Sequence, residues 1–141
     1  MPRSADCTCL RLRKATRRVS QIYDSHLAPY DLTITQYGLL GHLRAFDGIG
    51  LGALAERLIT DPTTLTRNLK PLERRGLVVL EPDPNDRRAR RLHLTEAGRE
   101  AFFAARAGWA EAQRKIEATL GIEDAAAFNA SLDRVLDLLD G

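Results

Sequence analysis

At 141 residues, 44% of them apolar and 28% charged, the chain has the length of one domain and the composition of an ordinary globular protein. No apolar run approaches the roughly 20 residues that cross a bilayer. The opening residues Met1 to Asp6 carry no signal-type apolar segment, so the expectation is a cytoplasmic protein with no membrane partner. The net charge of +2 does not announce nucleic acid, but its distribution is uneven. Residues 1–18 hold six Lys/Arg against one Asp, residues 61–91 hold eight against five acids, and residues 96–141 hold five against nine.

Cys9 to about Leu27 reads as a helix. Leu12, Ala15, Val19, Ile22 and Tyr23 fall near one face, and Arg11, Arg13, Lys14, Arg17 and Arg18 on the other. Pro29 ends it. Thr33 and Gln36 have capping-box spacing, and the helix they start carries Tyr37, Leu40 and Leu43 and stops near Asp47-Gly48. Ile49-Gly50 leads into a short helix over Leu51 to about Leu58, with Leu51, Leu54, Ala55 and Leu58 on one side.

The next helix is the best marked. Asp61 is a good N-cap, Pro62 suits the first helical position, and Leu65, Leu69 and Leu72 form an apolar stripe. The opposite face carries Thr63, Arg67, Lys70 and Arg74, with Thr64 and Asn68 on its flanks and no carboxylate. Pro71 predicts a bend near the helix's end, and Gly76 supplies the stop. Two short helices joined by a tight turn match a helix-turn-helix, whose second helix enters a major groove.

Leu77 to Leu80 and Leu92 to Leu94 read as strands, with His93 pointing outward. The turn-forming stretch from Glu81 to Arg91 between them has four arginines in five positions. A hairpin with a basic tip after a helix-turn-helix is a wing, and arginine at its tip suits a narrow minor groove. Thr95 caps a long helix with Ala101, Ala105, Trp109, Ala112, Ile116 and Leu120 on one stripe. Gly121 breaks it, and Glu123 to about Asp140 is a last helix striped by Phe128, Leu132, Val135 and Leu139. The terminal helices have no second layer to cover them. An apolar patch of that kind marks an interface, which a two-fold dimer would bury.

The run DPNDRRARRLHLTEAG resembles the wing signature of the MarR family of bacterial transcription regulators, a D-x-x-D-R-R core followed by L-T-x-x-G. LGALAERLITDPTTLTRNLKPLERRGLV resembles that family's helix-turn-helix. The resemblance implies a mainly α fold with a small two-stranded β-wing. It implies one domain over residues 1–141, with the winged helix-turn-helix at 33–95 and dimerisation helices at 7–30 and 96–141. The implied function is a DNA-binding repressor, homodimeric on a pseudo-palindromic operator. A small-molecule, aromatic effector in a cleft between the dimer helices and the reading head would release it. Thr63, Thr64, Arg67 and Asn68 would approach base edges or nearby phosphates, and Lys70 and Arg74 phosphates. Arg88 would enter the minor groove between Arg87 and Arg90, with Asp86 orienting an arginine.

Two alternatives stand beside that reading. One MarR subgroup senses hydroperoxides through a cysteine fourteen positions before a helix tyrosine, the spacing of Cys9 from Tyr23, though Arg13 and Ile34 stand where that subgroup has further tyrosines. An adjacent basic run, which Cys9 has, is the setting that a sensing thiolate would need. The other alternative is a winged-helix protein-interaction module, whose wing would be expected to lose its arginines. Cys7, Cys9, His26, His42 and His93 have no zinc-site spacing. Ser20, Asp24 and His26 do not form a triad, and no phosphate loop or nucleophile elbow is present. The chain is therefore expected to hold no metal or cofactor and to catalyse nothing.

Overall fold

A computed structural model describes residues 6–140. The one-domain reading over 1–141 and the expectation for Met1 to Asp6 both extend outside these residues. The chain divides into two compact units, Leu27–Arg106 and Met1–His26 with Ala107–Gly141.

In Leu27–Arg106 a 3-10 turn at Ala28–Tyr30 leads to helix α2 (Ile34–Ala45), following α1 (Thr8–Leu27). The capping box forms as its spacing implies: Gln36 N donates to Thr33 Oγ1 at 3.2 Å, and Thr33 N to Gln36 Oε1 at 3.0 Å. Helices α3 (Leu51–Arg57) and α4 (Pro62–Arg74) follow, then strands β2 (Val78–Asp83) and β3 (Asp86–Leu94) and the start of α5 (Glu96–Leu120). The core is mostly leucine. Leu40, Leu43, Leu54, Leu65, Leu69, Leu72 and Leu92 are all buried, and each stabilises the fold by about 1.5–3 kcal/mol.

The sheet differs from the expected pair. Ile49–Gly50 forms a short strand, β1, beside Leu92 and Arg91, giving three antiparallel strands in the order β1-β3-β2. A two-residue strand is too short to show alternation. The hairpin strands are also longer than expected, because Pro82 and Asp83 belong to the β2 ladder despite their turn character. β2 is an edge strand, the place in a sheet where proline is tolerated. Pro71 does not end α4, which continues to Arg74.

The base of the hairpin is tied to α5 through two successive carbonyls, those of Gly76 and Leu77. Leu77 O accepts Thr95 N at 3.1 Å. The Thr95 hydroxyl lies 2.6 Å from Gly76 O and 3.0 Å from Leu77 O, and accepts Gly98 N at 3.0 Å. A Cβ on Gly98 would stand 2.0 Å from Leu77 O. Further along α5, Phe102 stacks on Tyr37 at 4.8 Å, and the Arg44 guanidinium lies 4.9 Å from the Phe103 ring.

The turn between α3 and α4 holds an unusual residue. Ile59 sits at φ +52° and is 76% exposed. Its N–H bonds Glu56 O at 3.2 Å, and Thr60 N bonds Ala55 O at 3.0 Å. This is the helix-ending position where glycine is usual.

In the other unit, α1 and the later part of α5 pack with α6 (Ile122–Leu138), and Gly121 at φ +91° separates the last two. Ala112 and Ala125 are buried, and Tyr23 donates to Gln113 Oε1. Burial, and then Glu117, push the Tyr23 phenol above its ordinary pKa. Between these helices lies a cavity of about 240 Å³, lined by Leu12, Val19, Tyr23, Ile116, Phe128 and Leu132. Phe128, Val135, Leu138 and Leu139 remain exposed. Among the described residues no helix is long and apolar enough to cross a membrane.

Two substitutions should move stability in opposite directions. Gly98→Ala forces Leu77 or α5 to shift and should cost on the order of 3 kcal/mol or more. Ile59→Gly removes about 1–2 kcal/mol of left-handed strain and adds about 0.5–1 kcal/mol of unfolded-state entropy, so it should raise stability by up to about 1.5 kcal/mol. Denaturant unfolding of both variants checks the pair; an unchanged Gly98→Ala midpoint removes the junction argument.

Candidate nucleic-acid interface

The start of α4 is fixed by one carboxylate. Asp61 Oδ1 accepts Thr64 N at 2.8 Å and Oδ2 accepts Thr64 Oγ1 at 2.6 Å. These bonds from the Thr64 side chain and backbone hold the Asp61 carboxyl below its ordinary pKa. The Thr64 hydroxyl proton is therefore committed to the cap, and Thr64, like Asn68, is half-buried. Thr63, Arg67, Lys70 and Arg74 are exposed. They follow one face of the helix over about 16 Å of rise. Among the described residues no carboxylate lies within 4.0 Å of these three cations.

The wing's turn is Pro84-Asn85, between Asp83 and Asp86. The arginines therefore lie not at the tip but along the returning strand. The ladder pairs Pro82 with Arg90 and then Asp83 with Asp86, so Arg87, Arg88 and Ala89 have no partner on β2. Such a bulge re-aims side chains. It carries Arg87 and Arg88, both exposed, as Arg90 is beside it.

Asp86 acts on the backbone: its Oδ1 accepts Arg88 N at 2.9 Å. The carboxylate that holds a guanidinium is Asp83, 3.2 Å from Arg91 Nε, and it also accepts Asn85 N at 2.8 Å. The Asn85 bond first, then Arg91, hold Asp83 below its ordinary pKa. One of the four wing arginines is thus paired. Arg87, Arg88 and Arg90 have no carboxylate within 4.0 Å among the described residues.

Three residues make contacts that sequence reasoning missed. His93 faces outward, but its ring is engaged, with Nδ1 3.1 Å from Asp47 and Nε2 3.5 Å from Glu81. Arg75 Nη1 donates to Asp31 O at 2.6 Å, which pins the end of α4 and withdraws that cation from the surface set. Arg57 lies 3.9 Å above the Phe46 ring. All three join residues distant in sequence and have no local signature.

Cys7 and Cys9 are free and exposed at the start of α1. Cys9 and Tyr23 share one helix, so fourteen residues separate them by about 21 Å. They cannot touch within one chain. Among the described residues no group of three His, Cys, Asp or Glu could hold a metal ion.

The chain matches a family model described as the MarR family over residues 30–89. It is 35% identical over 97 residues to the transcriptional regulator HosA of Escherichia coli O111:H-, a match spanning 65% of this chain and 72% of HosA. Two solved structures share its fold. The M. tuberculosis transcriptional regulator MosR in complex with DNA is 32% identical, with a TM-score of 0.76, covering 92% of this chain and 98% of MosR. The transcriptional repressor CouR bound to a 23-mer DNA duplex is 28% identical, with a TM-score of 0.83 and 93% of each chain covered.

The two depressed carboxyls set a pH expectation. A carboxylate with a folded pKa below its unfolded value of about 3.9 stabilises the fold above that value and loses its contribution as pH falls through the folded pKa. The α4 cap and the Asp83–Arg91 pair should therefore stay constant from about pH 5 to 8 and weaken only below about pH 4. An NMR titration of the carboxyl carbons checks this; a midpoint for Asp61 or Asp83 above about 4 contradicts it.

Proposed function

The chain belongs to the MarR family of transcriptional regulators, and on that premise we propose that it acts in the cytoplasm as a homodimeric repressor released by an effector. It is a DNA-binding regulator and not an enzyme, as its relatives are. The observation that carries the finer reading is the pairing of two exposed cationic surfaces in one unit. One is the face of α4 that carries Arg67, Lys70 and Arg74, and the other is the bulge that holds Arg87 and Arg88.

In this reading α4 lies in a major groove. Thr63, Arg67 and Asn68 approach base edges, and arginine there suits guanine. Lys70 and Arg74 bind phosphates. Thr64 contributes mainly by fixing the N-terminus of α4 through Asp61. Arg88, with Arg87 and Arg90 beside it, enters the minor groove, and Asp86 sets the backbone from which Arg88 projects. The terminal helices at 7–30 and 96–141 form the dimer, supported by the exposed apolar residues Phe128, Val135 and Leu139. A dimer places two heads on a pseudo-palindrome with half-sites about one helical turn apart.

Arg88→Ala should weaken binding to DNA upstream of the protein's own gene by about 1–3 kcal/mol at fixed salt while fold and assembly are kept. An unchanged affinity removes Arg88 from the interface. Sedimentation at micromolar concentration should give a dimer; a monomer that binds a palindrome at full affinity excludes the assembly. The same DNA titration, repeated with phenolic and other aromatic compounds and with hydroperoxide on wild type and Cys9→Ser, tests release. An affinity that none of them lowers removes the sensing half of the proposal.

A further inference from the structure

Helix α1 is charged in reverse of what its dipole favours. Its five cations, Arg11, Arg13, Lys14, Arg17 and Arg18, all fall in the first eleven of its twenty residues, and the first turn has no acid. Its single carboxylate, Asp24, is in the second half. Cations near a helix N-terminus and like charges three or four apart both oppose helix formation. Lys14 stands in that relation to Arg11, Arg17 and Arg18, and Arg13 to Arg17. All five cations are exposed. Arg11 reaches Asp6 at 3.6 Å, and among the described residues no carboxylate lies within 4.0 Å of the other four.

An ordinary solvated helix mixes its charges. Here Arg11, Lys14, Arg17 and Arg18 share an arc of about 120° over about 10 Å of rise. Each strand of a duplex presents about one phosphate per 3.4 Å of axis, so such a face meets about three. Three of these four residues are arginines, whose planar fork matches phosphate. A membrane surface is the poorer fit, because it must take up the helix's apolar face. Here Ala15, Val19, Ile22 and Tyr23 are half-buried, with Ile116 and Phe128 of α5 and α6 beside them.

We propose that the basic face of α1 is a second DNA surface, gripping duplex phosphates without reading bases, in addition to the surface of α4 and the wing. This rests on duplex DNA being the protein's partner. No base-reading side chain is needed on such a face. Its effect on binding is independent of sequence and steeply salt-dependent.

The test uses the full chain and a random-sequence duplex about four helical turns long. The slope of log K against log salt is measured for wild type, for Lys14→Gln/Arg17→Gln/Arg18→Gln, and for Arg67→Ala/Arg88→Ala. Glutamine matches lysine and arginine in helix propensity, so circular dichroism should be unchanged, and an alanine triple variant repeats the test. The expected result is a slope shallower by about 3 and roughly tenfold or more weaker binding at low salt for the triple variants. Slope and affinity equal to wild type overturn the proposal. So does a triple variant that loses only capture by phosphatidylserine vesicles. The two readings fail separately: if Arg67→Ala/Arg88→Ala binds its upstream DNA like wild type, the α4 and wing assignment falls, whatever the triple variants do.

Discussion

The carbonyl of Leu77 is the point on which the reading unit depends. It accepts the Thr95 N–H, lies within reach of the Thr95 hydroxyl, and has the first turn of α5 so close that only a glycine fits at position 98. That junction joins the two ends of the hairpin to the helix that leaves it. Val78 then has no alternative but to pair with Leu94, and every later pair up to Pro82 and Arg90 follows. On its other side Leu77 donates its own N–H to Leu72 O at 2.9 Å, at the end of α4. The recognition helix and the wing therefore share one anchor. Because a strand slip of one residue reverses every side chain, this contact decides how Arg90 and Arg91 face.

Four of the five carboxylates between residues 61 and 91 are spent locally. Asp61 closes the start of α4, Asp83 takes Arg91 and the Asn85 N–H, Asp86 takes the Arg88 N–H, and Glu81 lies beside His93. Net charge alone thus understates the field. Those four acids hold a cap, the turn and a histidine, and the cations of α4 and the bulge are left facing solvent. The same carboxylates that lower the overall charge build the backbone that displays the positive ones.

How much of this was legible depends on the range of each signal. Caps are written in three or four residues, so Thr33 with Gln36, Asp61 with Pro62, and Thr95 could be read directly. The leucine stripe of α4 also needs only one helix. The wing's extent could not be read, because Pro82, Asp83 and Asn85 look like turn residues whether or not the flanking ladder continues. The pairing of Asp83 with Arg91 depends on a register that no local pattern states. β1 is too short for a pattern, and Ile59 carries the side chain least expected in a left-handed position. The site residues were legible as types and faces. Which of them are free and which are held, as Thr64 and Arg91 are, is set by bonds that residue type alone does not state.

The unpaired bulge at Arg87 to Ala89 has a consequence for how this hairpin can vary. Below it the ladder is closed by the Leu77 junction and the buried Leu92. Beyond it the chain is bound only by the local bonds of Asp83 and Asp86. Lengthening or shortening the tip therefore leaves the packed base untouched. The packed base would thus carry a hairpin of another length, whereas the spacing of Asp83 and Asp86 sets where Arg87 and Arg88 stand.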